Sequence, residues 1–179
     1  MHQRAELLYQ QLDSLQALRR QAKQALLAES RKHAVCPILR KVPGLGPIRV
    51  ALLIALVQTP FRFRSKRQFW AYAGLALVVH ISAEYRIVDG QIERRAKHGA
   101  LRGLNFNYNH DLKQIFKGAA LAVSSRPGPW RDWFVLHVAQ GQKPELVRLT
   151  VARKLAALTL ALWKKGERYD AHRVMVQAA

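Results

Sequence analysis

The stretch Val42-Pro43-Gly44-Leu45-Gly46-Pro47-Ile48-Arg49-Val50-Ala51 decides how this chain folds. Two glycines between prolines continue neither a helix nor a strand, so they predict a tight turn. A short apolar-basic segment precedes the turn. Residues 50–57 after it are purely apolar, which predicts a helix over 48–57. Such a turn presents consecutive backbone N–H groups at a helix N-terminus, and glycine allows a close approach. It can grip a phosphate without reading a base, or serve as a plain tight turn. On the first reading Gly44, Gly46, Lys41 and Arg49 are candidate phosphate contacts.

The charge around the turn favours the first reading. No Asp or Glu occurs between residues 30 and 83, and the same run holds Arg31, Lys32, Arg40, Lys41, Arg49, Arg62, Arg64, Lys66 and Arg67. A solvated structural face mixes signs because like charges repel, so a one-signed run of this length points to a surface that meets phosphates. Over all 179 residues, 30 Lys and Arg stand against 11 Asp and Glu, a net charge of +19. A polyanionic partner, DNA first, is expected. In this setting the turn resembles the hairpin of helix-hairpin-helix DNA-binding modules.

Hydrophobic residues make up 50 % of the chain, enough for a core and against wholesale disorder. The lone Cys36 excludes a disulfide scaffold and a cysteine-based zinc site. The longest apolar runs, 50–57, 75–79 and 155–163, fall short of the ~18 residues a membrane span needs, and the polar N-terminus leads into no secretory stretch. No membrane partner is expected, and the location expected is the cytoplasm.

Upstream of the turn, residues 3–32 contain no Gly or Pro. Leu8, Leu12, Leu15, Ala22 and Leu26 recur at alternating steps of four and three, with Arg19 interrupting the stripe. This predicts one long helix, either coiled-coil-like or packed on the body. A coiled-coil segment over 1–34, a domain over 37–170 and a tail over 171–179 follow.

Downstream, Pro60 starts a linker and Ser65 caps a helix to about residue 72. There Arg62, Arg64, Lys66 and Arg67 alternate with Phe61, Phe63, Phe69 and Trp70. The cations are candidate DNA contacts. The aromatics serve either as core anchors or as a stacking platform for single strands. Gly74 ends that helix, and 75–81 reads as a short buried strand. Asp89-Gly90 supplies the positive-φ pair of a tight turn in a hairpin over 85–94, which carries Arg86. Asn107 or Asn109 caps the next helix, with Asp111 in its first turn, and 124–129 forms a loop. A short helix bears Trp130, Phe134 and His137 and stops at Gly141. A buried final helix opens at Pro144-Glu145 and ends at Lys164-Lys165-Gly166. The fold class is mainly α, with a long N-terminal helix, a helix-hairpin-helix-like segment, a small β-hairpin and C-terminal helices.

The carboxylates are scattered and do not converge as a two-metal centre requires. The histidines, His80, His98 and His110 among them, lack ligand spacing and read as structural or DNA-facing, so no metal site is expected. Ser82 follows the 75–81 strand, and Arg86, Arg94, Arg95, Lys97 and Arg102 come soon after it. A serine becomes a nucleophile only with a base and charge-stabilising donors. From spacing alone Ser82 is a turn residue or a nucleophile.

Motifs taken in order carry a more specific signal. Val42-Pro43-Gly44-Leu45-Gly46-Pro47 is followed by Phe63-Arg64-Ser65-Lys66-Arg67-Gln68-Phe69-Trp70-Ala71-Tyr72-Ala73-Gly74-Leu75. Leu104-Asn105 comes next, then Asn107 with Leu112-Lys113 and Phe116-Lys117-Gly118-Ala119-Ala120. Leu149 to Leu155, with Ala152-Arg153-Lys154, and Trp163 to Tyr169 complete the set. Over about 37–170 this closely resembles the C-terminal domain of bacterial insertion-sequence transposases of the DEDD class, and the first helix resembles the end of their coiled coil. The resemblance implies DNA transposition and recombination, with Ser82 as the catalytic nucleophile that joins DNA. It also implies a structured guide RNA as partner, and association with itself or a full-length transposase through the first helix. Family members often have Pro where Leu77 stands and Gly where Ala83 stands. The chain is expected to be a truncated frame lacking the RuvC-like Asp-Glu-Asp-Asp domain. It is then incomplete and inactive alone, or a non-catalytic DNA- or RNA-binding remnant that regulates intact transposase. No cofactor is expected in this chain, with magnesium confined to the missing domain. Lys97, after the hairpin, completes the candidate DNA contacts.

Overall fold

The computed structural model describes residues 2–79, 85–94, 101–104 and 107–170. Among them the protein is mainly helical, as the sequence predicts. Helix α1 (His2–Arg31) leads to a one-turn α2 (Cys36–Leu39). The glycine turn follows, then α3 (Pro47–Val57), a 3₁₀ turn (Pro60–Arg62) and α4 (Lys66–Tyr72). Short strands β1 (Leu77–Val79), β2 (Tyr85–Val88), β3 (Gln91–Arg94) and β4 (Leu101–Leu104) precede α5 (His110–Ser125), α6 (Pro129–Ala139) and α7 (Pro144–Lys165).

The predicted signals set most boundaries. Proline opens α3, α6 and α7, where its missing N–H costs nothing. The Asn109 side chain accepts from Leu112 N at 2.8 Å and starts α5. Gly166 ends α7 in the left-handed conformation, φ +68°, just past Lys164 and Lys165. Asp89 (φ +51°) and Gly90 (φ +78°) turn β2 into β3, with Tyr85 opposite Arg94 and Val88 opposite Gln91.

Several expectations need correction. Pro60 opens a 3₁₀ turn rather than a linker. The strand predicted over 75–81 runs Leu77–Val79 in the structure. It pairs antiparallel with β4, which the sequence reading missed, and Leu77 is exposed. Ser124 and Ser125 lie inside α5 rather than in a loop, because their hydroxyls donate to the carbonyls of Ala120 (2.8 Å) and Leu121 (2.9 Å).

Helix α7 organises the core, packing against α2, α4, α5, α6 and the 3₁₀ turn. Its Val151, Leu155, Ala156 and Leu160 are buried with Leu112, Phe116 and Ala119 of α5, Val50, Leu53 and Val57 of α3, and Phe69 of α4. Helix α1 packs on α2 and α3; its Ala17, Leu26 and Leu27 are half-buried and Ser30 is buried. Leu7, Leu8, Leu12, Leu15 and Leu18 are exposed, so the packed-on-the-body alternative fails for most of its length. The tail over 171–179 lies outside the described residues.

Candidate nucleic-acid interface

The two glycines of the turn do different things. Gly44 has φ +77°, and a Cβ there would stand 2.6 Å from the Ala119 carbonyl oxygen and 3.0 Å from Val123 Cγ1. It is glycine because the turn presses on α5. Gly46 is the N-cap of α3, extended at φ −72° and ψ 170°, exposed, and a Cβ there would meet nothing within 4 Å. No side chain caps this helix start, which is the positive end of the helix dipole. Lys41 is exposed beside the turn. Arg49 is half-buried. Its Nη1 donates to the Gly44 carbonyl at 2.9 Å, and its guanidinium lies across Gly118, where a Cβ would stand 2.7 Å from Nη2. Arg49 therefore braces the turn from inside, a role its place in the basic run did not reveal.

The second part is the segment from Thr59 to Tyr72. The Ser65 hydroxyl accepts from Gln68 N (3.4 Å), and the Gln68 side chain reaches back to accept from Arg64 N (2.7 Å). This reciprocal capping fixes the start of α4. It sorts the alternating residues by face. Phe63 and Phe69 are buried with ring centroids 4.9 Å apart, and Phe69 meets Phe116 edge-on at 5.6 Å. The half-buried Trp70 donates from Nε1 to the Arg153 carbonyl at 3.0 Å. Arg62, Arg64, Lys66 and Arg67 stay exposed. Arg62 lies over the rings of Phe63 (5.8 Å) and Tyr72 (5.4 Å), and the Lys66 amine sits 5.7 Å from the Trp70 ring. Of the four aromatics only Phe61, 73 % exposed, is free to stack on a base. The others are anchors that hold the cations outward.

Residues a hundred positions away support this face. Lys164 Nζ donates to the Phe63 carbonyl, and Arg153 Nε donates to the Leu75 carbonyl at 2.6 Å. Burial pushes the Arg153 guanidinium and the Lys154 amine below their ordinary pKa values. Gly74, φ +64°, turns the chain out of α4, and a Cβ there would strike the Tyr108 ring at 2.5 Å. Local periodicity carries no trace of these long-range partners. Of the remaining candidates, Arg86 stands in β2 at the register position opposite Glu93. Ser82 and Lys97 lie outside the described residues.

The segment holding both parts has known counterparts. Residues 36–104 match the Transposase IS116/IS110/IS902 family. The match opens at the start of α2 and closes at the end of β4, so it takes in the glycine turn, α3, α4 and all four strands. Two similar proteins carry related names. One is "Putative transposase y4pF/y4sB" of Sinorhizobium fredii, 29% identical over 131 residues, which are 73% of this chain and 32% of that protein. The other is "Insertion element IS116 uncharacterized 44.8 kDa protein" of Streptomyces clavuligerus, 26% identical over 117 residues, or 65% of this chain and 26% of that protein. The chain thus spans about a third and a quarter of the lengths of these relatives. These similarities support a transposase-related role. Helices α5 to α7, on which Gly44, Phe69 and Trp70 rest, lie beyond the family match.

Proposed function

We propose that this chain is the DNA-binding C-terminal part of an insertion-sequence transposase, holding the nucleic-acid backbone on the face formed by the 3₁₀ turn and α4. The observation that carries this reading is the sorting of one short segment. Phe63 and Phe69 are buried while Arg62, Arg64, Lys66 and Arg67 remain exposed, in a run of 54 positions from 30 to 83 that contains no carboxylate. Cations held outward on a rigid helix neutralise phosphates and release counterions, which gives affinity with little sequence preference. Lys41 and the uncapped start of α3 extend this face, and Arg86 and Lys97 are further candidate DNA contacts.

In this reading Ser82 is the nucleophile. Its oxygen bonds to the phosphorus of a DNA phosphodiester as one bond from phosphorus to a sugar oxygen breaks, and the departing sugar oxygen takes a proton. A structured guide RNA and the RuvC-like domain of a longer protein complete the machinery. In the same reading any divalent metal is held by that domain. The exposed leucines of α1 are the element that associates with a second copy or a full-length transposase.

The test compares two charge-matched variants by salt-dependent binding to duplex DNA. Arg64→Gln/Arg67→Gln weakens binding and makes log K less steep against log salt by about 0.9 per lost contact. Arg131→Gln/Lys143→Gln, which removes exposed charges from α6 and from the start of α7, leaves the slope nearly unchanged. Equal losses from both pairs would reduce the reading to nonspecific attraction by net charge.

A further inference from the structure

One feature of α1 remains outside that reading. Its heptad-like series 8, 12, 15, 19, 22, 26 is apolar except at Arg19. An arginine in an apolar seam is costly unless something anionic meets it. Arg19 lines an open groove of about 610 Å³ between α1 and the first turn of α3, together with Gln16, Arg20, Ala22, Lys23, Leu26 and Ile48. Three cations converge there and no carboxylate lines the groove. The neighbouring acids on α1 do not neutralise it. Glu29 is held by Lys32 at 2.6 Å, and its carboxyl lies below the ordinary value because of that lysine. Asp13 and Glu29 are each six residues from the cluster, about 9 Å along the helix axis, which is about one Debye length at physiological salt. Arg19, Arg20 and Lys23 are all exposed, so the groove is open to a ligand. Leu26 and Ile48 are its apolar lining residues.

We propose that the groove between α1 and α3 is a second phosphodiester-binding site, with Arg19, Arg20 and Lys23 as its phosphate contacts. It rests on the nucleic-acid reading above and extends it. The bound strand passes the N-terminal end of α3 and engages α1, so the long helix serves as a backbone guide over its C-terminal half and as an association surface over its N-terminal half. Two arginines and a lysine on adjoining turns offer guanidinium forks and a point charge to successive phosphates, a set suited to a continuous backbone.

The experiment is a fluorescence anisotropy titration of the full 179-residue chain across a salt series. Two labelled probes are used, a DNA duplex of about 30 base pairs and an RNA stem-loop with a similar number of phosphates. In Arg19→Gln/Arg20→Gln/Lys23→Gln the slope of log K against log salt on the duplex becomes shallower by about 2 to 3, and affinity at about 0.1 M salt falls at least ~10-fold. The thermal midpoint stays put because the three side chains are exposed. The charge-keeping variant Arg19→Lys/Arg20→Lys retains most of the wild-type slope. Loss on both probes supports a backbone site common to the two, and loss on one supports the site and assigns it to that nucleic acid. The inference is overturned if Arg64→Gln/Lys66→Gln/Arg67→Gln flattens the slope while the groove variant keeps it in full. It is also overturned if the groove variant changes only the sedimentation mass, which would seat a second copy of the chain there. A wild-type chain that binds neither probe would remove the nucleic-acid reading itself.

Discussion

Replacing Gly44 and Gly46 one at a time separates packing from ligand approach. At Gly44 an alanine must hold φ +77°, which costs about 1–2 kcal/mol for a residue with a Cβ. The same Cβ would stand 2.6 Å from the Ala119 carbonyl oxygen. That oxygen belongs to the backbone of a buried helix and cannot swing away, so overpacking adds about 1–3 kcal/mol. The total of about 2–5 kcal/mol is a large part of the ~5–15 kcal/mol that holds a domain together. At about 2–4 °C per kcal/mol for a chain of this size, the thermal midpoint of Gly44→Ala falls by roughly 4–20 °C. At Gly46 the backbone is extended and open, so alanine fits. It loses some N-cap preference and restricts the unfolded chain, and the two effects nearly cancel, leaving the stability within about 1 kcal/mol of wild type. Circular dichroism melts of both variants decide the matter. Gly46→Ala then reports on phosphate approach in a folded protein, and its DNA affinity falls several-fold if the first-turn amides of α3 touch the backbone. Equal midpoints for the two variants would refute the packing assigned to Gly44.

Three further outcomes are expected. Leu8→Gln/Leu12→Gln/Leu15→Gln lowers the sedimentation mass toward that of a monomer at an unchanged thermal midpoint, because these side chains are exposed; an unchanged mass would discard α1 as the association element. Trp70→Phe loses the bond to the Arg153 carbonyl, costs about 1 kcal/mol, and lowers the melting midpoint by about 2–4 °C. In the presence of the RuvC-like domain and guide RNA, labelled DNA forms a covalent adduct on a denaturing gel that Ser82→Ala abolishes; an adduct that survives the substitution places the nucleophile elsewhere.

What the sequence made legible was local. Asn109, Ser65 and Pro144 start helices and Gly166 ends one through groups within four residues, and Asp89-Gly90 makes its turn with its own backbone, so a linear reading finds them. Strand β4 escaped because Leu101-Arg102-Gly103-Leu104 contains a glycine at φ +101° and no alternation, and its partner β1 lies more than twenty residues back. The expectation for Ser124 and Ser125 failed because serine signals a loop only when its hydroxyl does not bond back to the helix. Here both hydroxyls do so.

The candidate site follows the same division, and Arg49 shows why. In the acid-free run it is indistinguishable from Arg64 or Arg67. All three are cations in a positive stretch, and charge patterning assigns each to a phosphate. Tertiary structure separates them by what each guanidinium meets. Arg64, just before the cap of α4, and Arg67, on α4, are exposed beside apolar residues anchored on α5 and α7, so their charge stays in solvent. Arg49 points inward onto the Gly44 carbonyl across Gly118, a residue of α5. A larger residue at position 118 would push that guanidinium off the turn. Arg49→Gln should therefore lower stability and DNA affinity together, whereas Arg67→Gln lowers affinity alone. If Arg49→Gln keeps the wild-type melting midpoint but loses salt-dependent binding, Arg49 is a phosphate contact after all and the bracing role assigned to it is wrong.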